Sequence, residues 1–500
     1  MPFDHEKSRL EARLLGLLSQ ALQDRNRDAI VSSLLALADL YLSGDLCQKA
    51  EEYFQRILED PTMHLARPDE RARALIGLAV VALRRGQLAA ASEVLERAAL
   101  QGAANAGLGL EIRRRRCELD LHGGRYREVV DAMESALGTQ NPERLGDLRV
   151  DLMLLEGRAR RLMGRNRQAL RLLERALELA LASGYEAGAA GARSELGRLH
   201  TSVGKFKSAH EHLSAALSGD EGVGSQLRLN VDRRRLAFLL LQTGRWSEAE
   251  ALLQQSYQSS RDLGHLECRL ASQLVLANLQ RLRGRLDDAQ DLALDAMEAA
   301  RAAGFVRRHV QGVFCLAQIS HDRGQGREAL ETLREAEALY GRLAPESDMM
   351  LELHATIGRT QDLLGQTGEA FERLTQAQNL ARETGNEYAR QVVNGYLGDH
   401  FRRRGEEEKA AELLTRSARE LGALGAKYDV ARARLWLAEL LGGARMARSL
   451  EDRHREVKLA RSNAFEARRL FELMGAAPRL AECDEVEAAL RPKNPAAKPK

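Results

Sequence analysis

Residues that break helices or favour sheets are scarce in this chain: its 500 residues include nine prolines, two tryptophans and only 4% aromatics. That scarcity excludes a sheet-rich fold, and the 44% hydrophobic residues, supplied largely by Leu and Ala, favour helix. Long apolar runs are missing too. The longest, Ala74 to Leu83, is about half of what a bilayer span requires. The five cysteines (Cys47, Cys117, Cys268, Cys315, Cys483) are far apart and form no CxxC pair, which excludes a zinc module or disulfide framework and leaves buried, reduced thiols. No charge of one sign dominates, since 75 basic side chains against 72 acidic ones leave +3, so no whole-molecule field recruits nucleic acid or a membrane.

Catalytic and phosphate-binding signatures are equally absent. Gly222-Val223-Gly224-Ser225 lacks the Lys and the preceding strand of a phosphate loop and reads as a turn with Ser225 capping the next helix. No Gly-x-Ser-x-Gly elbow is present, and His210 and His212 are two apart, on different faces of a helix. No enzyme activity, no cofactor and no metal are expected. The charged start (Asp4, His5, Glu6, Lys7, Arg9) and the brief apolar patch Leu14 to Leu18 do not make a secretory signal, so a cytoplasmic location is expected.

What the chain does have is glycine at a fixed interval. Gly164, Gly184, Gly204, Gly224, Gly244, Gly264, Gly284, Gly304 and Gly324 stand twenty residues apart, and the series resumes at Gly365, Gly385, Gly405 and Gly425. Twenty residues fit a helix of about 15 residues plus a tight turn closed by a left-handed glycine. Taking every second glycine as an anchor, from Gly86 and Gly124 through Gly405, other residue types recur around it. A small residue stands seven before (Gly157, Gly197, Ala237, Ala277, Ala317, Gly358, Gly398) and an Ala five after (Ala169, Ala209, Ala249, Ala289, Ala329, Ala370, Ala410). A large apolar residue stands nine after (Leu173, Leu213, Leu253, Leu333, Leu374, Leu414). Small residues at fixed positions mark close helix contacts, so the unit is a helical hairpin with its tip at the anchor. The first hairpin fits only if its turn at Gly44 and Asp45 is shifted by one.

These positions resemble the tetratricopeptide repeat, with Tyr126, Phe206 and Trp246 at its aromatic position two after the anchor. The period is 40 rather than the family's 34, similar to the long-helix variety found in large bacterial signal-transducing regulators. The resemblance implies an all-α fold, a right-handed superhelical α-solenoid of about eleven hairpins. The expected organisation is an N-terminal capping helix (1–27), the repeat array (28–475), a C-terminal capping helix (476–491) and a disordered tail (492–500). The run Ala467 to Ala481 resembles the closing segment of arrays in bacterial ATP-dependent transcriptional activators.

Within the first helix of each hairpin, positions ten, six and three before the anchor share one face. In tetratricopeptide proteins that face lines the concave groove. Here it carries Arg114, Arg158, Arg161, Arg198, Arg234, Asn278, Arg281, Gln318, Arg359 and Arg402, with His321, Asp362 and Asp399 between them. Arg pairs bidentately with carboxylate or phosphate, so these ten residues are the expected groove for a protein or peptide partner of acidic character. The function expected is a scaffold, with a regulatory protein acting in trans on a separate kinase, ATPase or transcription factor as the alternative. The runs Arg113 to Arg116, Arg233 to Arg235 and Arg402 to Arg404 raise nucleic-acid binding as a third reading, opposed by the near-neutral charge.

Overall fold

The computed structural model describes residues 2–59, 66–102, 104–139, 145–443 and 449–491, and among these it holds 24 α-helices and no strand. The expected tail 492–500 lies outside the described residues. Paired helices repeat along the chain, as in Asp147–Leu162 with Asn166–Ser183 and Glu186–Val203 with Phe206–Val223. Eleven such hairpins run from Arg27–Ser43 to Leu450–Met474, flanked by single helices Pro2–Gln23 and Ala477–Ala489. Among the described residues no helix is long and apolar enough to cross a membrane.

Recurring small and large residues turn out to be contact partners. A Cβ added at Gly157 would sit 2.6 Å from Leu173, at Gly197 2.5 Å from Leu213, and at Gly398 2.7 Å from Leu414. The glycine seven before the tip thus receives the leucine nine after it, which brings the two helices of a hairpin together. Ala169, Ala209, Ala249 and Ala289 are wholly buried. Ser225 caps its helix, accepting from the Arg228 amide. At the first tip Gly44 has an ordinary φ of −89°, and Asp45 takes the left-handed place at +61°, the one-residue shift of that turn.

Hairpin tips do more than turn the chain. The tip of each early hairpin docks on the joint between two hairpins of the next superhelical turn. Asp45 Oδ2 accepts from the Leu227 amide at 3.0 Å across 182 residues, and Asn166 Nδ2 donates to the Thr384 carbonyl at 3.2 Å across 218. The Tyr126 and Tyr340 hydroxyls bond at 3.2 Å, and the Tyr388 hydroxyl donates to Gln242 Oε1 at 2.6 Å. At Gly164 (φ +80°) an added Cβ would lie 1.9 Å from the Glu346 carbonyl oxygen. The later tips Gly324, Gly365 and Gly405 have the same left-handed backbone but open space around them. Solenoid repeats ordinarily contact only their neighbours. This one closes on itself.

Candidate functional site

Contacts between superhelical turns narrow the concave side into a partly open lumen. The tetratricopeptide resemblance implies a concave groove, and stacked turns wall it in on the sides where successive hairpin tips meet the joints. Glu352 illustrates the result: its side chain touches solvent, yet burial first and Asp348 second push its carboxyl up to about 7. Glu352 lines the central part of this concave space. The accessible surface of 23827 Å² also exceeds the roughly 18,000 Å² of a compact chain of this mass.

Three adjoining chambers make up this space. The narrowest, about 50 Å³, lies between Arg158, Arg198, Arg234 and Phe305. It shares Arg198, Arg234 and Arg307 with a central chamber of about 300 Å³ that includes Phe238, Asn278, Gln318, Glu352 and Tyr388. The central chamber in turn shares Arg281 and Tyr396 with a third of about 370 Å³, lined by Arg359, Arg402 and Asp322 among others. Nine of the ten residues singled out from the sequence therefore line one continuous lumen. Arg114 does not. It is drawn instead into ion pairs with Asp151 of the next inner helix and with Glu111 and Glu118 of its own.

Most of the lumen arginines are held by acids about one repeat away. Arg281 meets Asp322 at 2.5 Å while donating to Asn278, and Arg402 bonds Asp399 and reaches Glu439 at 3.0 Å. Arg235 bonds Glu195, with Arg161 3.8 Å from the same carboxylate. Burial alone would raise Glu195, but Arg235, Arg161 and Arg158 pull it down to about 2. Arg308 holds Glu267 through two nitrogens, and Arg307 donates to the Tyr340 hydroxyl at 2.9 Å. Arg359 lies over the Tyr396 ring at 4.6 Å.

Three arginines stand apart. Among the described residues Arg158, Arg198 and Arg234 make no ion pair or hydrogen bond, Arg198 lying instead over the Phe238 ring at 4.7 Å. Burial, and after it the neighbouring guanidiniums of Arg161, Arg307, Arg234 and Arg235, depress Arg198 well below the ordinary arginine value. Arginine keeps its proton in proteins, so this describes an unfavourable concentration of positive charge rather than a neutral side chain. His122 adds nothing to it, since burial pushes it down to about 4. The lumen is accordingly polarised. Its narrow end carries excess positive charge, whereas in the third chamber arginines and carboxylates balance.

Arg235, Arg307, Arg308, Glu267 and Tyr388 line the lumen but were not among the ten groove residues expected from the sequence, Arg235 having been read only as part of a basic run. Three of them carry a signal that could have found them. Glu267, Arg307 and Tyr388 all stand seventeen residues before their anchors, the same helix face extended toward its start.

Residues 227–302 match the model of the tetratricopeptide repeat, the type the sequence pattern resembles. No curated protein matches the chain. Among solved structures it is similar to a Rap protein complexed with competence and sporulation factor. The identity is 16% and the TM-score 0.47, over 68% of this chain and 99% of that one. It is also similar to the apo form of the quorum sensor NprR from B. thuringiensis, at 15% identity and a TM-score of 0.41, over 71% of this chain and 99% of that one.

Proposed function

We propose that this array of tetratricopeptide repeats is a non-enzymatic, cytoplasmic regulatory receptor that takes a short acidic peptide into its lumen. The observation that carries the reading is the convergence of the arginine row on a narrow, partly open lumen. A helical segment of a partner protein is about 10–12 Å across with its side chains and needs an open groove. A central chamber of about 300 Å³ stands at the lower end of the roughly 300–1,000 Å³ typical of small-ligand sites. A peptide of a few residues suits it better than a long partner segment.

Narrowing of the lumen also favours the regulatory reading over a passive scaffold. Arg234 and Tyr388 both line the central chamber, and Tyr388 belongs to the joint on which the Gly204 tip docks. A ligand there touches successive turns at once and binds the closed superhelix in preference to an opened one, which is the requirement for shifting a conformational equilibrium. The effector would be a separate protein that reads the closed form. Nucleic-acid binding has less support, since the arginine runs are largely engaged: Arg115 with Glu111 and Glu118, Arg235 with Glu195, Arg402 and Arg403 with Asp399, Arg404 with Glu406.

Selection of a random pentapeptide library on the immobilised chain tests the proposal. Enrichment of Asp and Glu is expected, and the combined substitution R158Q/R198Q/R281Q should abolish it while helical circular dichroism is retained. Enrichment of basic or purely apolar peptides, or selection unaltered in the triple variant, would remove the lumen as the site.

A further inference from the structure

The narrow chamber differs from the rest of the lumen in charge and size. Seven arginines line it, and among the described residues the carboxylates bonded to them are Glu195 and Glu267. Those two acids and the Tyr340 hydroxyl engage Arg235, Arg308 and Arg307, as described above. Left over are Arg158, Arg198 and Arg234, while the Nε of Arg161, in a side chain only 7% exposed, sits 3.8 Å from Glu195 without hydrogen-bonding it. The Nε of Arg234 is likewise buried and unbonded. Seven guanidiniums share this wall with two bonded carboxylates, and the three that touch solvent without a bonded acid leave it with an excess of positive charge that favours an anion.

Size decides what kind of anion. A chamber of about 50 Å³ has room for a few waters, each needing roughly 10–15 Å³ of such space. It admits one compact charged group and no peptide backbone. Guanidinium forks complement the oxygens of phosphate and carboxylate, and several converging forks favour the higher charge of a phosphate dianion. Because the central chamber opens onto the same Arg198, Arg234 and Arg307, the remainder of a ligand would lie there.

We propose that the chamber lined by Arg158, Arg161, Arg198 and Arg234 is a terminal-oxyanion site, built for a phosphate group and accepting a carboxylate more weakly. It rests on the lumen being a ligand site, and it names the end group that anchors the ligand.

The test is titration of the full chain with inorganic phosphate and, separately, with acetate, at constant ionic strength made up with chloride, followed by calorimetry. Saturable phosphate binding at least tenfold tighter than acetate is expected. R198M should weaken it by about tenfold or more, as the loss of a charged hydrogen-bonding partner does. R158M serves as an independent second variant. R113Q/R116Q, altering two exposed arginines outside the lumen, should leave it unchanged. In phosphate-free buffer R198M should melt no lower than the parent, because its guanidinium has no bonded acid and Met keeps an apolar contact with Phe238, whereas R235M should melt lower. Phosphate indistinguishable from chloride, acetate binding as tightly as phosphate, or full binding by both R198M and R158M would overturn the site. No peptide enters this experiment: phosphate binding combined with a failed peptide selection removes only the peptide reading, and the reverse removes only the oxyanion site.

Discussion

Replacing Gly164 by Ala probes the closure of the superhelix, with Gly365 to Ala as its control. Both glycines are left-handed hairpin tips, at φ +80° and +76°. A side chain at that backbone costs roughly 1–2 kcal/mol wherever it stands. At Gly365 nothing lies within 4 Å of the added Cβ, so the cost ends there. At Gly164 the Cβ would lie 1.9 Å from the Glu346 carbonyl oxygen, where real contacts stay beyond 3.0 Å, and backbone must move by about 1 Å. That displacement pulls the tip away from its joint and weakens the Asn166 to Thr384 hydrogen bond beside it. Loss of such a bond adds about 0.5–1.5 kcal/mol, before any lost packing of the Thr384 methyl. G164A should therefore lower stability by about 2–4 kcal/mol against about 1–2 for G365A. Urea denaturation measures the difference, and amide hydrogen exchange should accelerate at Ser347 and Asn386 in G164A alone. Equal destabilisation by the two variants, with exchange at those amides unchanged, would refute docking of the tip.

D45G relieves a left-handed backbone but removes the acceptor of the Leu227 amide and the partner of Arg84 at 2.9 Å; because it breaks a buried pair, a net loss of about 2–4 kcal/mol is expected in thermal unfolding. G197A should cost about 1–3 kcal/mol by overpacking against Leu213, read from the denaturation midpoint, while leaving the lumen charge untouched. Asp232 is pushed up to about 7 by burial, with Asp220 adding to it against Arg235 and Ser194. Its folded value lies above the unfolded one, so its stabilising contribution is full below about pH 4 and is lost as pH rises through 7. D232N should therefore gain on the parent in urea midpoint between pH 5 and pH 8, and parallel pH profiles would contradict this.

The hairpins were legible because their determinants are local. Gly197 and Leu213, or Gly398 and Leu414, sit sixteen residues apart, and the pattern repeats often enough to be read as a contact. The match over residues 227–302 agrees with that reading. Closure was not legible, since Asp45 and Leu227 are 182 residues apart and nothing in the repeat indicates how tightly the superhelix winds. The arginine row could be placed on one face, but its division into paired and unpaired members could not. That division depends on a neighbouring helix about 40 residues away offering Asp322 to Arg281 or Glu439 to Arg402 while offering no acid to Arg198. Glu267 and Arg307 were missed because the row was not extended a further two turns toward the helix start.

Closure is the claim on which the lumen, its ligand and the oxyanion site all depend, and small-angle X-ray scattering of the full chain tests it most directly. A closed chain of 500 residues should have a radius of gyration near 23 Å by the scaling for compact proteins, and about 25 Å once its hollow centre is allowed for. An open stack of eleven hairpins, spaced by about 9 Å, would be a rod about 100 Å long with a radius of gyration near 30 Å. The closed superhelix should give about 25 Å without added ligand. A value near 30 Å would contradict it.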